Sequence, residues 1–184
     1  MASKSPWSDI PLRPAPGLIH VVVESPRGSQ AKFKYDQELG VFRLNRLLPN
    51  DAVFPFDFGF IPGTLGEDRD PIDAILLLET PTFAGCVVRA RPVGVLRATK
   101  EGKRNDRILA VATLSKVYGP IKDLKDIPRE WLNAVERFYR AVLKVDEGEH
   151  EIGDFEGAGS AKRLIKAGAG KKGRRVTTKR AQRK

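Results

Sequence analysis

Between Gly66 and Asp73 the chain reads Gly-Glu-Asp-Arg-Asp-Pro-Ile-Asp and then enters the apolar run Ala74-Ile-Leu-Leu-Leu. Three carboxylates, Asp68, Asp70 and Asp73, fall within six residues. Crowding them costs electrostatic repulsion, which a hard divalent cation removes; Mg²⁺ suits a few carboxylates plus retained waters. A solvated acidic loop leading into a strand is the simpler account of Asp-x-Asp taken alone. A helix-loop-helix calcium site does not fit. Ile72 and Asp73 stand where that motif needs an oxygen ligand and then glycine, and a strand-like run follows. The remaining reactive types are sparse. His20 and His150 are far apart and form no metal pair. Cys86, beside Val87-Val88, reads as a small buried hydrophobe. Gly168-Ala-Gly-Lys-Lys-Gly lacks the spacing and strand-turn-helix setting of a phosphate-binding loop.

The elements that must carry these carboxylates are β-rich. Short apolar runs at Ile19–Val23, Ala31–Tyr35, Val41–Leu47, Ala74–Leu78, Val87–Leu96 and Ile108–Val111 alternate with turn residues such as Gly28, Gly40 and Pro62-Gly63. That pattern predicts a barrel or a sandwich. The period then changes. Trp131, Ala134, Val135, Phe138, Val142 and Val145 recur every three or four residues, predicting an amphipathic helix that begins near Pro128 and ends near Gly148. A second, shorter helix is expected at Ala158–Ile165. Residues 1–18, with four prolines, read as an extended arm whose Trp7, Ile10 and Leu12 dock on the body. Residues 19–166 form the folded domain.

Composition narrows the class. A chain of 184 residues, 41% apolar, buries one sizeable core. No apolar run reaches the ~20 residues of a membrane-spanning helix. The N-terminal residues lack a secretory apolar stretch, and the single cysteine excludes an intramolecular disulfide. Cytoplasmic location is the expectation. The net charge of +10 sits at one end. No acidic residue follows Glu156, whereas 11 basic ones do; the other 22 basic residues are balanced by all 23 acidic ones. Residues 167–184 are therefore expected to be a disordered basic tail, with weak, salt-sensitive attraction to nucleic acid or another polyanion. No aromatic follows Phe155, so base stacking is not expected there.

Asp68-x-Asp70-Pro71-x-Asp73 resembles the signature of the soluble family I inorganic pyrophosphatases. So do Val22-Val23-Glu24-Ser25-Pro26, Ala31-Lys32-Phe33-Lys34-Tyr35-Asp36, Asn45-Arg46, Phe54-Pro55-Phe56-Asp57-Phe58-Gly59-Phe60-Ile61, Arg91-Pro92-Val93-Gly94-Val95-Leu96 and Gly119-Pro120-Ile121-Lys122-Asp123. The resemblance runs in register over roughly residues 19–150. It implies a mainly β, α+β fold: an OB-like five-stranded barrel flanked by two helices, in a cytoplasmic homo-oligomer that hydrolyses pyrophosphate with Mg²⁺. By position it implies Asp68 and Asp73 as metal ligands, Asp70 as general base and further metal contact, and Glu24 as a carboxylate acting through water. Lys32 and Arg46 match catalytic phosphate-binding cations. Lys34 and Arg107 do not match the family's residues, but their own charge makes them candidate substrate contacts beside these two.

The departures from the family pattern are specific. Lys34 replaces a Glu, Phe54 and Phe58 replace two tyrosines, Lys100 replaces a metal-binding Asp, and Asn105-x-Arg107 replaces Asp-x-Lys. An ungapped register puts Val142-Leu143 where the family's helix carries Tyr-Lys, with Lys144 one residue late. By that register the site is about four charge units more positive, and a more positive pocket recruits fewer divalent cations. Two functions are thus expected: a divergent Mg²⁺-dependent pyrophosphatase acting on pyrophosphate or a related phosphoanhydride, or a catalytically impaired relative that binds a phosphate-rich ligand or partner. Asp106 is placed to substitute for the missing carboxylate only if its loop shifts.

Overall fold

The structure is a computed structural model that describes residues 6–49, 51–143 and 150–171. Among the described residues, nine strands and two α-helices follow in the order β1 (Ile19–Ser25), β2 (Ala31–Asp36), β3 (Val41–Leu47), β4 (Asp57–Phe60), β5 (Asp73–Leu77), β6 (Val87–Lys100), β7 (Lys103–Arg104), β8 (Arg107–Ala112), α1 (Arg129–Leu143), β9 (His150–Gly157) and α2 (Ala158–Lys171). Five strands pair in the sequence β1-β4-β5-β8-β6, and β6 returns to β1, closing a barrel. Only β5 and β8 run parallel within it; the other pairings are antiparallel. Closure leaves the ring without an edge. The β2–β3 hairpin stands apart as a two-stranded ribbon.

The barrel strands are apolar where both sides are covered. Val21, Val22 and Val23 are each fully buried, as are Ile108, Leu109 and Ala110. One cluster joins the barrel to α1: Val93, Leu96 and Leu109 meet Leu132, Val135 and Tyr139. A second joins it to α2 through Val95, Ile108, Ala161 and Ile165. Each buried Val, Leu or Ile among them contributes roughly 1.5–3 kcal/mol. The arm is docked: Trp7 packs edge-on against Phe42 and Tyr35, with centroids 5.5 and 5.9 Å away. Ile10 joins that cluster, and Leu12 packs beside the second one.

Several elements differ from expectation. Strand β4 was hidden by its length of four residues and its Gly59, which allows close approach: a Cβ there would collide with the Val22 backbone. Strand β9 is mostly polar, yet it pairs with the outer half of β6. Helix α2 extends six residues beyond Ile165, past the expected domain boundary at 166. Its continuation is anchored, since the Leu65 N–H donates to the Gly168 carbonyl at 3.2 Å. Val145, Gly148, Lys144 and the tail from residue 172 lie outside the described residues. Among the described residues no helix is long and apolar enough to cross a membrane.

Candidate active site

The acidic loop connects β4 to β5 and is pinned along its length. Thr64 Oγ1 donates to the Ile61 carbonyl at 2.7 Å and accepts from the Ile72 N–H at 2.9 Å. The Gly66 N–H donates to the Asp70 carbonyl at 2.7 Å. Arg69 takes a left-handed conformation, φ 72°, rare for a side-chain-bearing residue. The Asp70 N–H donates to Asp68 Oδ1 at 3.1 Å, which fixes the two carboxylates relative to one another. Asp73 is the first residue of β5 and stands directly opposite Arg107, the first residue of β8.

These side chains face one cleft of about 1020 Å³ between the barrel mouth, the β2–β3 hairpin and α1. Glu24, Lys32, Lys34, Asp68, Asp70, Asp73 and Arg107 all line it. Lys32 and Lys34 share a face of β2 because strand side chains alternate. Arg46 is paired with Lys32 across the hairpin but does not itself line the cleft. Phe54 and Phe58 form part of the wall, stacked with centroids 5.9 Å apart. Lys100 and Asn105 complete the rim. Acidic and basic lining residues are equal in number, so the cleft is formally neutral.

Its electrostatics are strained by burial. Glu24, 8% exposed, has its carboxyl pushed up to about 7, first by desolvation and then by the Asp73 charge; the Tyr35 N–H bond at 2.8 Å opposes this. Asp73 is pushed up to about 6 by desolvation, against the pull of Arg107 and Lys32. Desolvation also raises Asp68. Lys32 is lowered, first by burial and then by the Arg46 charge. Lys34 goes the other way. Burial works to lower it, but its Nζ sits 2.9 Å from Asp70 Oδ2, and that bond and charge hold it above the ordinary lysine range.

The donor chemistry fits a hard divalent cation. Three aspartate carboxylates face one cleft, and two of them are held above their usual range by desolvation that an adjacent cation would relieve. Among the described residues no three such side chains converge on one point.

Helix α1 and the Asp106 loop add detail to the expected site. The ungapped register puts Val142-Leu143 at the phosphate end of the helix, and Val142 does line the cleft, but Tyr139 lines it as well and is the polar residue that α1 presents there. The Arg107 guanidinium lies over its ring, 4.8 Å from the centroid. Tyr139 is one turn before Val142, so the same helix face carries both. Arg140 points to solvent and pairs with Glu136 at 2.7 Å. Asp106 does not enter the cleft. It is buried, bound by Arg97 at 2.7 Å, by the Ala98 N–H at 3.0 Å and by Arg104 at 3.3 Å. Arg97 in turn grips Glu156 of β9 through two bonds, so Arg97 ties β6 to β9 and Asp106 holds Arg97 in place.

The comparisons with known proteins agree with this architecture. The family profile described as "Pyrophosphatase: Inorganic pyrophosphatase" matches residues 21–171. An inorganic pyrophosphatase of Nostoc is 35% identical over 158 residues, covering 86% of this chain and 94% of that one. Soluble inorganic pyrophosphatase 1 of Arabidopsis thaliana is 35% identical over 161 residues, covering 87% and 76%. The crystal structure of inorganic pyrophosphatase from Thermus thermophilus superposes with a TM-score of 0.86 at 29% identity, covering 91% of this chain and 99% of that one. Matched by the family profile over most of its length, and by relatives and a solved structure over most of theirs, the chain belongs to the inorganic pyrophosphatase family.

Proposed function

We propose that this protein hydrolyses inorganic pyrophosphate to two phosphates in a Mg²⁺-dependent reaction. The observation that supports it best is the convergence of Asp68, Asp70, Asp73, Lys32 and Arg107 on one cleft in a chain of this family. Asp68 and Asp73 are the residues that would hold Mg²⁺, with Glu24 acting behind them through water. When bound, the ion neutralises phosphate charge and lowers the pKa of the attacking water. Asp70, on the exposed lip of the loop, receives the proton of that water. The water oxygen forms a bond to one phosphorus while the bridging P–O bond breaks. The departing phosphate leaves with the bridging electron pair, its charge met by Lys32 and Arg107. Arg46 acts from behind Lys32, lowering its pKa and holding the hairpin face cationic. Tyr139 braces Arg107 from the helix side.

The comparisons give the binding-only alternative no support. A homo-oligomer in the cytoplasm accords with the family resemblance, and the proposal extends to both. The test is phosphate release from pyrophosphate by the full chain, with Mg²⁺ and with EDTA, beside Asp70→Asn. Mg²⁺-dependent release that falls by 10²-fold or more in the variant is the expected result, in line with the loss of a general base. Equal rates in both proteins remove Asp70 from the mechanism. No release from folded wild type refutes hydrolysis.

A further inference from the structure

We propose that Lys34 is a built-in cation standing in for a metal ion, neutralising Asp70 in the free protein and contacting a phosphate oxygen when pyrophosphate is bound. The inference rests on pyrophosphate being the ligand of this cleft. Four observations carry it. Lys34 occupies a position where the family resemblance expects a glutamate, so a cation has replaced a carboxylate inside the site. Its Nζ is 2.9 Å from Asp70 Oδ2, the distance of a formed ion pair. It shares the cleft-facing side of β2 with Lys32, on a hairpin whose register fixes both. Both partners are half open, the Lys34 and Asp70 side chains being 55% and 53% exposed, so a ligand in the cleft can reach the ammonium without rearranging the wall.

The strength of the pair is suited to exchange. An ion pair this exposed adds little to stability, because solvent screens it and two mobile side chains must be held. Pyrophosphate carries up to four negative charges, and several cations converge on it in this cleft. A single carboxylate on the lip cannot compete with it for the ammonium. Meanwhile an Asp70 carboxylate already neutralised by Lys34 has less attraction for a second divalent ion. The formal neutrality of the cleft walls has the same consequence: charge that metal ions would otherwise supply is present in the chain. Lys100, on the opposite rim, adds a second fixed cation.

The test separates this role from turnover. Pyrophosphate binding is measured by calorimetry in EDTA, and bound Mn²⁺ is counted by electron paramagnetic resonance, for wild type, Lys34→Met, Lys34→Arg and Lys34→Glu. Wild type is expected to bind pyrophosphate without metal. Lys34→Met, which keeps the apolar stem, should bind it at least 10-fold more weakly, and Lys34→Arg should recover most of the loss. Lys34→Glu should bind one more Mn²⁺ per chain than wild type. Metal-free affinity that is equal in wild type and Lys34→Met overturns the proposal, as does an unchanged Mn²⁺ count in Lys34→Glu. Failure of the hydrolysis reading appears elsewhere, as absent phosphate release with Mg²⁺, and is independent of both readouts.

Discussion

Glu24→Gln isolates the cost of keeping a carboxylate behind the cleft. In the metal-free protein, burial and the Asp73 charge raise the Glu24 pKa from 4.5 to about 7. A raised carboxyl pKa means that the native state holds a proton which the unfolded chain releases. Stability is therefore intact below about pH 4.5, falls as pH rises toward 7, and is flat above it. At 1.36 kcal/mol per unit, the loss by pH 8 is about 3 kcal/mol. Glutamine removes the charge, and its carbonyl can still accept the Tyr35 N–H bond that Glu24 Oε1 accepts at 2.8 Å. Asp73 is present in both proteins, so the comparison reads Glu24 and its coupling to Asp73. The assay is urea unfolding in EDTA at pH 5 and pH 8. About 1 kcal/mol of that loss is already present at pH 5, so with a slope of about 2 kcal/mol per molar urea the variant's midpoint should exceed that of wild type by about 1.2 M more at pH 8 than at pH 5. Parallel pH dependences in the two proteins would refute the reasoning, because they would mean Glu24 is not desolvated in the native state.

Further outcomes follow from the same geometry. Mg²⁺ should raise the wild-type melting temperature more at pH 8 than at pH 5, since Asp73, with a pKa of about 6, must ionise to take the ion; equal shifts at both pH values would argue against Asp73 as a ligand. Gly168→Val should cost about 1–3 kcal/mol and weaken Mg²⁺ binding, because a Cβ there would lie 2.6 Å from Ile72 Cδ1, within the acidic loop's own anchor; chemical denaturation and Mg²⁺ calorimetry read the two effects. Asp106→Asn should lower stability by about 1–3 kcal/mol while leaving the Mg²⁺ titration unchanged, because Asp106 binds Arg97 and Arg104 away from the cleft. A changed Mg²⁺ titration in that variant would return Asp106 to the site.

The barrel was legible because its strands are short, apolar and punctuated, and because the family strings fall in register across them. Strands β4 and β9 were not. The first depends on a glycine accepting the backbone of β1, and the second on polar residues finding the unpaired edge of β6. Neither fact is a property of its own segment, which is all that periodicity measures. The site divides in the same way. Glu24, Lys32 and the three aspartates were found from position, and each lines the cleft. Tyr139 was missed because it lies one turn before the Val142-Leu143 position that the family pattern marks, so position alone did not single it out. A signal was nonetheless present, since Tyr139 sits one residue after Phe138 and three before Val142, on the apolar stripe of α1. A polar-tipped aromatic on a buried stripe is the kind of residue that reaches a cavity. Charge replacements were visible residue by residue, but their meaning was pairwise. Lys34 alone reads as an added positive charge; Lys34 bonded to Asp70 reads as a charge already matched. The shift of about +4 is measured against the family pattern; in the cleft as it stands, acidic and basic lining residues balance. The protein's departures from its family therefore concern which cations are fixed in the chain and which are taken from solution.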